Sequence, residues 1–327
     1  MENRLLLAFV LSLGVFVGWG YFLAQVQGPL PTEEQDVKTR ETRSLPSQST
    51  GSTNSVASQS QPLPPVTPTP INQFPGKEVL IQVSAGKAHF IISNRGGILK
   101  QLQLPRFKND SGETIDLIDN PDNLTGALAL KTNDPEVTKI LQNAHDEPST
   151  TSIVLDENNL EERLTLILNH SSGLQVTRTY TFHFNDYLVE MSTQVNAASM
   201  SSRNLQYQIL LGPGMGGKIS SQTDYIVFSG ATVFANNERI ENPPEDIHDT
   251  SYFKGDLKWV SFQNKYFGSA LIPQQGTKAG IVLKEKDQAF VGLELESVQS
   301  SANAEYLFYA GTKELEILET QGHHLVR

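Results

Sequence analysis

The stretch LGPGMGGKIS has the residue types, and nearly the spacing, of a loop that binds nucleotide phosphates. It reads G-x-x-x-x-G-K from Gly212 to Lys218. In such a loop the next residue is Ser or Thr, whose hydroxyl binds the magnesium ion, and a helix follows. Here Ile219 takes that position, and the β-branched and aromatic residues after it have no helical period. We therefore predict a loop between two strands, with positive φ at its glycines, Gly212, Gly214, Gly216 and Gly217.

A second group of residues has side chains that bind metal ions or exchange protons. The run PPEDIHDTSY contains three acidic residues and a histidine, namely Glu245, Asp246, His248 and Asp249. Because the run starts with prolines and is polar, a solvated surface loop is the prediction. The chain has no cysteine, and it lacks the G-x-S-x-G and H-E-x-x-H motifs. We predict no catalytic group, no metal and no cofactor.

The composition narrows the classes of protein and partner. The chain has 327 residues, 38% of them hydrophobic, and a formal net charge of -11. A nucleic-acid-binding surface needs a basic face, so nucleic acid is excluded as an expected partner. The length is enough for one large domain or two ordinary ones.

The N-terminus carries a candidate membrane anchor, residues 1–27. From Leu5 to Val26 there is no charged side chain, and this run of 22 residues is long enough to cross a bilayer. Leu5 and Phe9 lie in its apolar part, whereas Trp19 and Tyr21 lie near its far end, where aromatic rings suit the lipid–water boundary. A cleaved secretory signal is the alternative, but its apolar region is usually shorter. The short N-terminal tail favours a cytoplasmic N-terminus.

The rest of the chain divides into a linker, a β domain and a terminal helix. Residues 28–75 are rich in Ser, Thr, Pro and Gln, which predicts a disordered linker. Residues 76–311 contain more than a dozen strand-like runs separated by turn signals, which is typical of a large antiparallel sandwich or barrel. Within 312–327, Thr312 is the predicted cap of the only helix we expect outside the anchor, and Leu315 and Leu318 lie on its apolar stripe.

Several blocks of the β domain resemble YidC-type bacterial membrane protein insertases. NRGGILKQLQLPRF contains Gly96 and Gly97, and RTYTFHFNDYLVEMSTQVNA follows later. The most specific block is W-V-x-x-x-x-K-Y-F-x-x-A-x-I-P, which includes Trp259, Tyr266, Phe267 and Pro273. We predict that its aromatic residues belong to a sandwich core. In the final block the family usually has G-P-K, where this chain has Gly-Thr-Lys ending at Lys313.

The resemblance implies an all-β fold, a β-supersandwich similar to sugar mutarotases, in the periplasm of a Gram-negative bacterium and anchored in its inner membrane. It also implies partners: membrane lipid, the Sec translocase with its accessory subunits, and nascent membrane proteins. In the family, insertion is carried out by five further membrane spans that enclose a polar groove. This chain has no second apolar run of comparable length, so we expect a non-catalytic docking or scaffold module, the front piece of a longer protein.

Two other functions remain open at this point. A carbohydrate-binding or mutarotase-like protein would need a histidine and a carboxylate close together, and His183 with Glu294 or Glu305 is the candidate grouping. A simple spacer between partners would need no site at all.

Overall fold

A computed structural model describes residues 76–118, 125–217 and 228–313. All of them belong to one of the two units into which the chain divides, Pro68–Arg327. The predicted anchor, with Leu5, Phe9, Trp19 and Tyr21, and the predicted linker lie outside the described residues. Within the described ranges, no helix combines the length and apolar character needed to cross a membrane.

The described residues form twenty β-strands. The strands up to the middle of the chain are β1 Leu80–Ser84, β2 His89–Ser93, β3 Leu99–Lys108, β4 Thr114–Asp116, β5 Ala129–Thr132, β6 Glu147–Pro148, β7 Ser152–Val154, β8 Glu161–Asn169, β9 Gln175–His183 and β10 Leu188–Asn196. The remaining strands are β11 Tyr207–Leu211, β12 Gly230–Ala235, β13 Glu238–Asn242, β14 Ser251–Phe253, β15 Leu257–Gln263, β16 Phe267–Gln275, β17 Thr277–Glu285, β18 Gln288–Leu295, β19 Ser297–Val298 and β20 Ser301–Thr312.

The strands form one large sheet and two smaller ones. The large sheet has the order β13-β12-β15-β16-β20-β10-β9-β8-β6, with β19 paired to β20. The smaller sheets have the orders β4-β3-β2-β1-β7 and β14-β17-β18-β11-β5. Among the described strands, only β1 and β7 pair in parallel. The prediction of an all-β, mostly antiparallel fold is therefore confirmed.

The two smaller sheets pack against the large sheet, and the core lies between them. Phe90 of β2 contacts Phe182 of β9, with ring centroids 5.2 Å apart. The third sheet packs against β15 and its neighbours so closely that a side chain at Gly280 would overlap Val260. Alternate residues of β10 are buried and exposed, as expected for a sheet with one solvated face. The layers are those of a β-sandwich.

A helix within the β domain corrects the prediction that the only helix is at the C-terminus. Helix α1 spans Pro135–Asn143. Asp134 caps it by accepting hydrogen bonds from the backbone N–H groups of Glu136 and Val137, at 2.9 and 3.1 Å. Val137 and Leu141, four residues apart, face the core. The Asp-Pro-Glu start was a readable signal in the sequence, because Asp favours the cap and Pro the first helical position. A short 3-10 helix at Ala198–Arg203 was also missed.

The end of the β domain differs slightly from the predicted boundary. Strand β20 continues through Thr312, which pairs with Phe267 of β16. The residue expected to cap a helix is therefore the last residue of a strand. Leu315 and Leu318 lie outside the described residues, so the terminal helix stays a prediction.

Candidate docking site at the Asn264–Phe267 turn

The block with the most specific family pattern forms the β15–β16 hairpin. Its turn is held by Asn264, whose side-chain oxygen accepts hydrogen bonds from the backbone N–H groups of Tyr266 and Phe267, at 3.0 and 2.9 Å. The side-chain amide of the same residue donates to the carbonyl of Gly216 at 2.9 Å. One buried asparagine therefore fixes the hairpin turn and ties it to the glycine-rich loop.

The aromatic residues of this hairpin have two different environments. Trp259 is buried and stacks on Phe234, with centroids 5.6 Å apart. Phe267 is buried and contacts Phe107 edge to face at 5.8 Å. Tyr266, by contrast, is 36% exposed. The core prediction was therefore correct for Trp259 and Phe267 and wrong for Tyr266, because Tyr266 lies in the turn, where the alternation of the strand no longer applies.

The last described residue of the chain meets the same turn. The backbone N–H of Lys313 donates to the carbonyl of Tyr266 at 2.8 Å, and its ammonium donates to the carbonyl of Asn264 at 3.1 Å. Burial lowers the pKa of Lys313, with a smaller contribution from the positive charge of Arg239. The ammonium of Lys265 lies 4.9 Å from the centre of the Tyr266 ring. The turn thus presents an exposed tyrosine with two lysines beside it.

The glycine-rich loop supports this turn and does not lead into a described helix. Gly212, Gly214 and Gly217 have positive φ, as predicted. For Gly216 the prediction was wrong, because its φ is not positive. Gly216 is needed for a different reason: a side chain there would overlap the carbonyl oxygen of Asp116 in the neighbouring sheet. The loop is a close-packed connection after β11, and Lys218 and Ile219 lie outside the described residues.

Pro273, the last residue of the motif block, lies in β16 opposite Tyr306. The register of β16 against β20 shifts just after it. Since proline has no N–H to donate, such an irregularity is expected at that point.

Gly96 and Gly97 lie in the turn between β2 and β3, over a buried ion pair. Arg178 donates to the Gly96 carbonyl at 2.8 Å and forms an ion pair with Asp146. A side chain at Gly97 would overlap the Arg178 guanidinium. The hydroxyl of Tyr180 donates to the Gly97 carbonyl at 3.2 Å. Burial opposes the charge of Arg178, but the Asp146 carboxylate outweighs that effect and raises the pKa of Arg178.

The buried ion pair of Arg178 and Asp146 was not predicted from the sequence, although the position of Arg178 indicated that a buried charge was present. Arg178 stands at an inward position of β9, between Val176 and Tyr180, which predicts a buried charge that needs a partner. Nothing in the sequence identifies Asp146, which is 32 residues away. Asn264 was missed as well, although Asn is a common turn former.

The residues proposed for catalysis are not brought together. His183 lies between Glu161 and Glu190 on the exposed face of the large sheet, with nitrogen–oxygen distances of 3.6 and 3.4 Å. Glu294 lies in another sheet, where it forms an ion pair with Lys278 at 2.9 Å.

Glu305 lies two strands from His183, opposite Ser192 of β10, so it does not complete the grouping either. The acidic group around His248 lies in the loop between β13 and β14, and its four members are exposed. Within the described ranges, no three His, Cys, Asp or Glu side chains are arranged to hold a metal ion.

Two cavities are lined by described residues, and one is small while the other is polar. One of about 20 Å³ lies between Pro213, Ser269 and Phe308, which is the space of a single water molecule. A surface cleft of about 230 Å³ lies between Asp256 and Gln274 and has no aromatic lining residue. Ligand pockets are usually larger and lined by apolar and aromatic groups.

These features place the described part of the chain in the class of large antiparallel β-sandwich domains. Its candidate site is the surface turn held by the Asn264 side chain. The family model of the YidC periplasmic domain matches residues 80–327. The chain belongs to the YidC periplasmic domain family, so the resemblance seen in the sequence is confirmed.

The curated relatives that the chain matches carry the name of the same family. The chain is 24% identical to the membrane protein insertase YidC of Pelobacter propionicus, in an alignment that covers 99% of this chain and 59% of the relative. It is 23% identical to that of Geobacter metallireducens, over 100% of this chain and 60% of the relative. The chain therefore spans about three-fifths of the length of these relatives.

Solved structures include sugar-converting enzymes of low similarity. A galactose mutarotase related enzyme from Lactobacillus acidophilus has a TM-score of 0.43 and 9% identity, and covers 71% of this chain and 97% of its own. A putative aldose 1-epimerase from Escherichia coli has a TM-score of 0.40 and 9% identity, and covers 72% of this chain and 100% of its own. At these scores the likeness carries no functional information.

Proposed function

We propose that this chain is the anchored periplasmic part of a YidC-type insertase and acts as a non-catalytic docking module beside the Sec translocase. The observation that carries the proposal is the family match over residues 80–327. The relatives are named membrane protein insertases, so insertion and folding of membrane proteins is the process in which the module takes part. A β-supersandwich is the specific architecture we propose for it.

The docking element in this proposal is the terminal segment 312–327, with Leu315 and Leu318 on its apolar face. The test is co-purification with Sec components from cells that express the full chain. We expect Leu315→Asp with Leu318→Asp to lose the Sec components, because a charged face no longer packs on an apolar partner. Leu160→Asp is the matched control, since Leu160 is 61% exposed in the loop between β7 and β8. Unchanged recovery with the double variant would rule out the helix as the docking element.

The anchor in this proposal is residues 1–27, with Leu5 and Phe9 in the lipid, Trp19 and Tyr21 at its boundary, and the N-terminus in the cytoplasm. Removing these residues, with a cleavable secretion signal in their place, is expected to release the protein from the membrane fraction into the periplasm. A truncated protein that stays in the membrane fraction after carbonate washing would contradict this assignment.

Insertion itself is proposed to require the further membrane spans that the family resemblance implies. An antibody against residues 76–310, used on a blot of native membranes, tests this point. A band much heavier than 36.1 kDa supports the front piece of a complete insertase. A membrane-bound band near 36.1 kDa means that the module docks partners without inserting proteins.

A further inference from the structure

The chain leaves the β-sandwich at Thr312 and Lys313, and the backbone of both residues is bound. The hydroxyl of Tyr309 donates to the carbonyl of Thr312 at 2.5 Å, in a buried hydrogen bond. The backbone N–H of Lys313 donates to the carbonyl of Tyr266 at 2.8 Å. Thr312 also pairs with Phe267 of β16. The backbone is therefore held up to the last described residue, although the ends of ordered segments are where fraying is usual.

The side chain of Lys313 adds a third hydrogen bond at the same point. Its ammonium donates to the carbonyl of Asn264 at 3.1 Å, and its stem passes 3.8 Å from the place where a Cβ at Gly268 would lie. Lys313 is half-buried, so water does not freely replace this hydrogen bond. The nearby Arg239 and Glu241 pair with each other at 2.8 Å, and their effects on Lys313 oppose each other.

The residue that accepts the ammonium is itself held in place. The Asn264 side chain accepts hydrogen bonds from the backbone N–H groups of Tyr266 and Phe267 and donates one to the carbonyl of Gly216. The backbone N–H of Gly216 donates to the carbonyl of Leu117 at 3.0 Å, directly after β4. Asn264 is therefore tied to two of the three sheets.

These contacts restrict the direction of the chain where it leaves the domain. We propose that Tyr309, Asn264 and Lys313 form an exit clamp, which fixes the direction in which residues 314–327 leave the sandwich and so presents the docking segment to its partner. Lys313 is a positioning residue in this clamp. A segment that is held before it binds loses less conformational entropy on binding. The role in docking rests on the proposed function, whereas the geometry of the clamp does not.

The absence of cysteine from the chain allows the exit direction to be measured with two spin labels. Glu316→Cys places one label shortly after the clamp. Ser171→Cys places the other in the exposed β8–β9 connection, at the opposite end of the large sheet. The twelve residues of β20 separate these ends, which is about 40 Å at about 3.3 Å per residue. The full chain is labelled in lipid nanodiscs, and pulsed EPR records the distance distribution.

We expect one narrow distance peak for the parent chain. Lys313→Met removes the ammonium but keeps the stem, and it should raise the population outside that peak about tenfold, the change expected on losing one charge-assisted hydrogen bond. Lys313→Arg keeps a donor and should keep the narrow peak. Lys139→Met is the matched control, because Lys139 is exposed on α1, and it should leave the distribution unchanged.

Tyr309→Phe tests the second hydrogen bond of the clamp without removing the ring, and it should broaden the distribution as well. Thermal unfolding of each variant verifies that the sandwich is intact. A broad distribution in the parent chain overturns the proposal, as does an unchanged distribution in both Lys313→Met and Tyr309→Phe. Equal broadening by Lys139→Met also overturns it, because the effect would then not arise at the exit.

Co-purification with Sec components separates the exit clamp from the proposed function. Recovery of Sec components should fall with Lys313→Met and stay unchanged with Lys139→Met. If no chain recovers Sec components while the distances respond as expected, the docking function fails and the clamp is supported. If Sec components are recovered but the distances of the parent chain are broad, the docking function is supported and the clamp is overturned.

Discussion

At the scale of single residues, the space for Gly97 is set by a charged group from another part of the chain. The Arg178 guanidinium lies where a side chain at residue 97 would begin, and it is held there by Asp146 and the Gly96 carbonyl. Moving it would leave a charge buried without its partner, which is among the larger costs a protein meets. Glycine at this position therefore leaves room for the Arg178 guanidinium and also allows the positive φ of the turn.

Gly97→Ala is expected to lower the free energy of unfolding far more than Gly112→Ala. Both glycines have positive φ, at 55° and 80°, which costs alanine about 1–2 kcal/mol. Only Gly97 meets other atoms, since nothing lies within 4 Å of a side chain at Gly112. We expect about 3 kcal/mol more for Gly97→Ala, by disturbing the buried pair. Urea unfolding measures both.

A double-mutant cycle shows whether Arg178 is the cause. In an Arg178→Met background the cost of Gly97→Ala should fall towards that of Gly112→Ala, because a flexible apolar side chain yields to the new methyl group. An unchanged cost would mean that the strain arises elsewhere in the turn.

Asp134 contributes stability that depends on pH. The hydrogen bond from Arg203 and the backbone N–H groups at the start of α1 lower the pKa of Asp134. A lowered pKa in the folded state means that the ionised group stabilises the fold above the unfolded pKa, about 4. This contribution is lost as the pH falls through the lower, folded value.

We therefore expect Asp134→Asn to unfold at a lower temperature than the parent protein at about pH 7, and the difference to shrink below about pH 4. Asparagine keeps the helix cap but not the charge, so it isolates the ionic contribution. Melting curves at several pH values measure the difference. A difference that stays constant from neutral pH down to about pH 3 would contradict the assignment.

At the scale of elements, the β15–β16 hairpin joins the core to the surface within a few residues. Its strands bury Trp259 and Phe267, while its turn exposes Tyr266. Asn264 makes this change of environment abrupt, since its side chain accepts hydrogen bonds from the N–H groups of Tyr266 and Phe267 and donates one to the carbonyl of Gly216.

Trp259→Ala should destabilise the domain strongly, whereas Tyr266→Ala should barely affect it. Trp259 is buried against Phe234, and deleting a buried tryptophan costs about 3–5 kcal/mol. Tyr266 lies in the turn, so its removal should cost about 0.5 kcal/mol. The comparison uses the midpoint and slope of chemical unfolding. A large loss for Tyr266→Ala would show that the ring supports the fold rather than a surface function.

At the scale of the whole molecule, the described parts of the sandwich carry two known cavities, and neither resembles an enclosed sugar site. The surface cleft between Asp256 and Gln274 has about 230 Å³ and lacks aromatic side chains, whereas ligand pockets are usually larger and lined by apolar and aromatic groups. His183 faces Glu161 and Glu190 on an open sheet face and is remote from Glu294 and Glu305.

We accordingly expect no acceleration of sugar mutarotation. Polarimetry of fresh glucose or galactose with the purified protein should match buffer, and His183→Ala should change nothing. A rate above buffer that His183→Ala abolishes would restore the enzymatic alternative.

Local patterns in the sequence determined much of this protein. Alternation of apolar and polar residues predicted the strands. The turn signals between them predicted an antiparallel arrangement, and the motif blocks indicated the family. These signals are readable because each depends on residues close together in the chain. Helix α1 was not predicted despite such a signal at Asp134 and Pro135, because it is only nine residues long and lies between two strands.

Only the tertiary structure decided which distant residues meet. Arg178 pairs with Asp146, Gly216 is restricted by the Asp116 carbonyl, and Asn264 joins the hairpin, the glycine loop and Lys313. None of these contacts follows from spacing, because sheet order and the stacking of three sheets bring the partners together. The exposure of Tyr266 has the same origin: the turn lies at the edge of the sandwich, where the burial pattern of the strands ends.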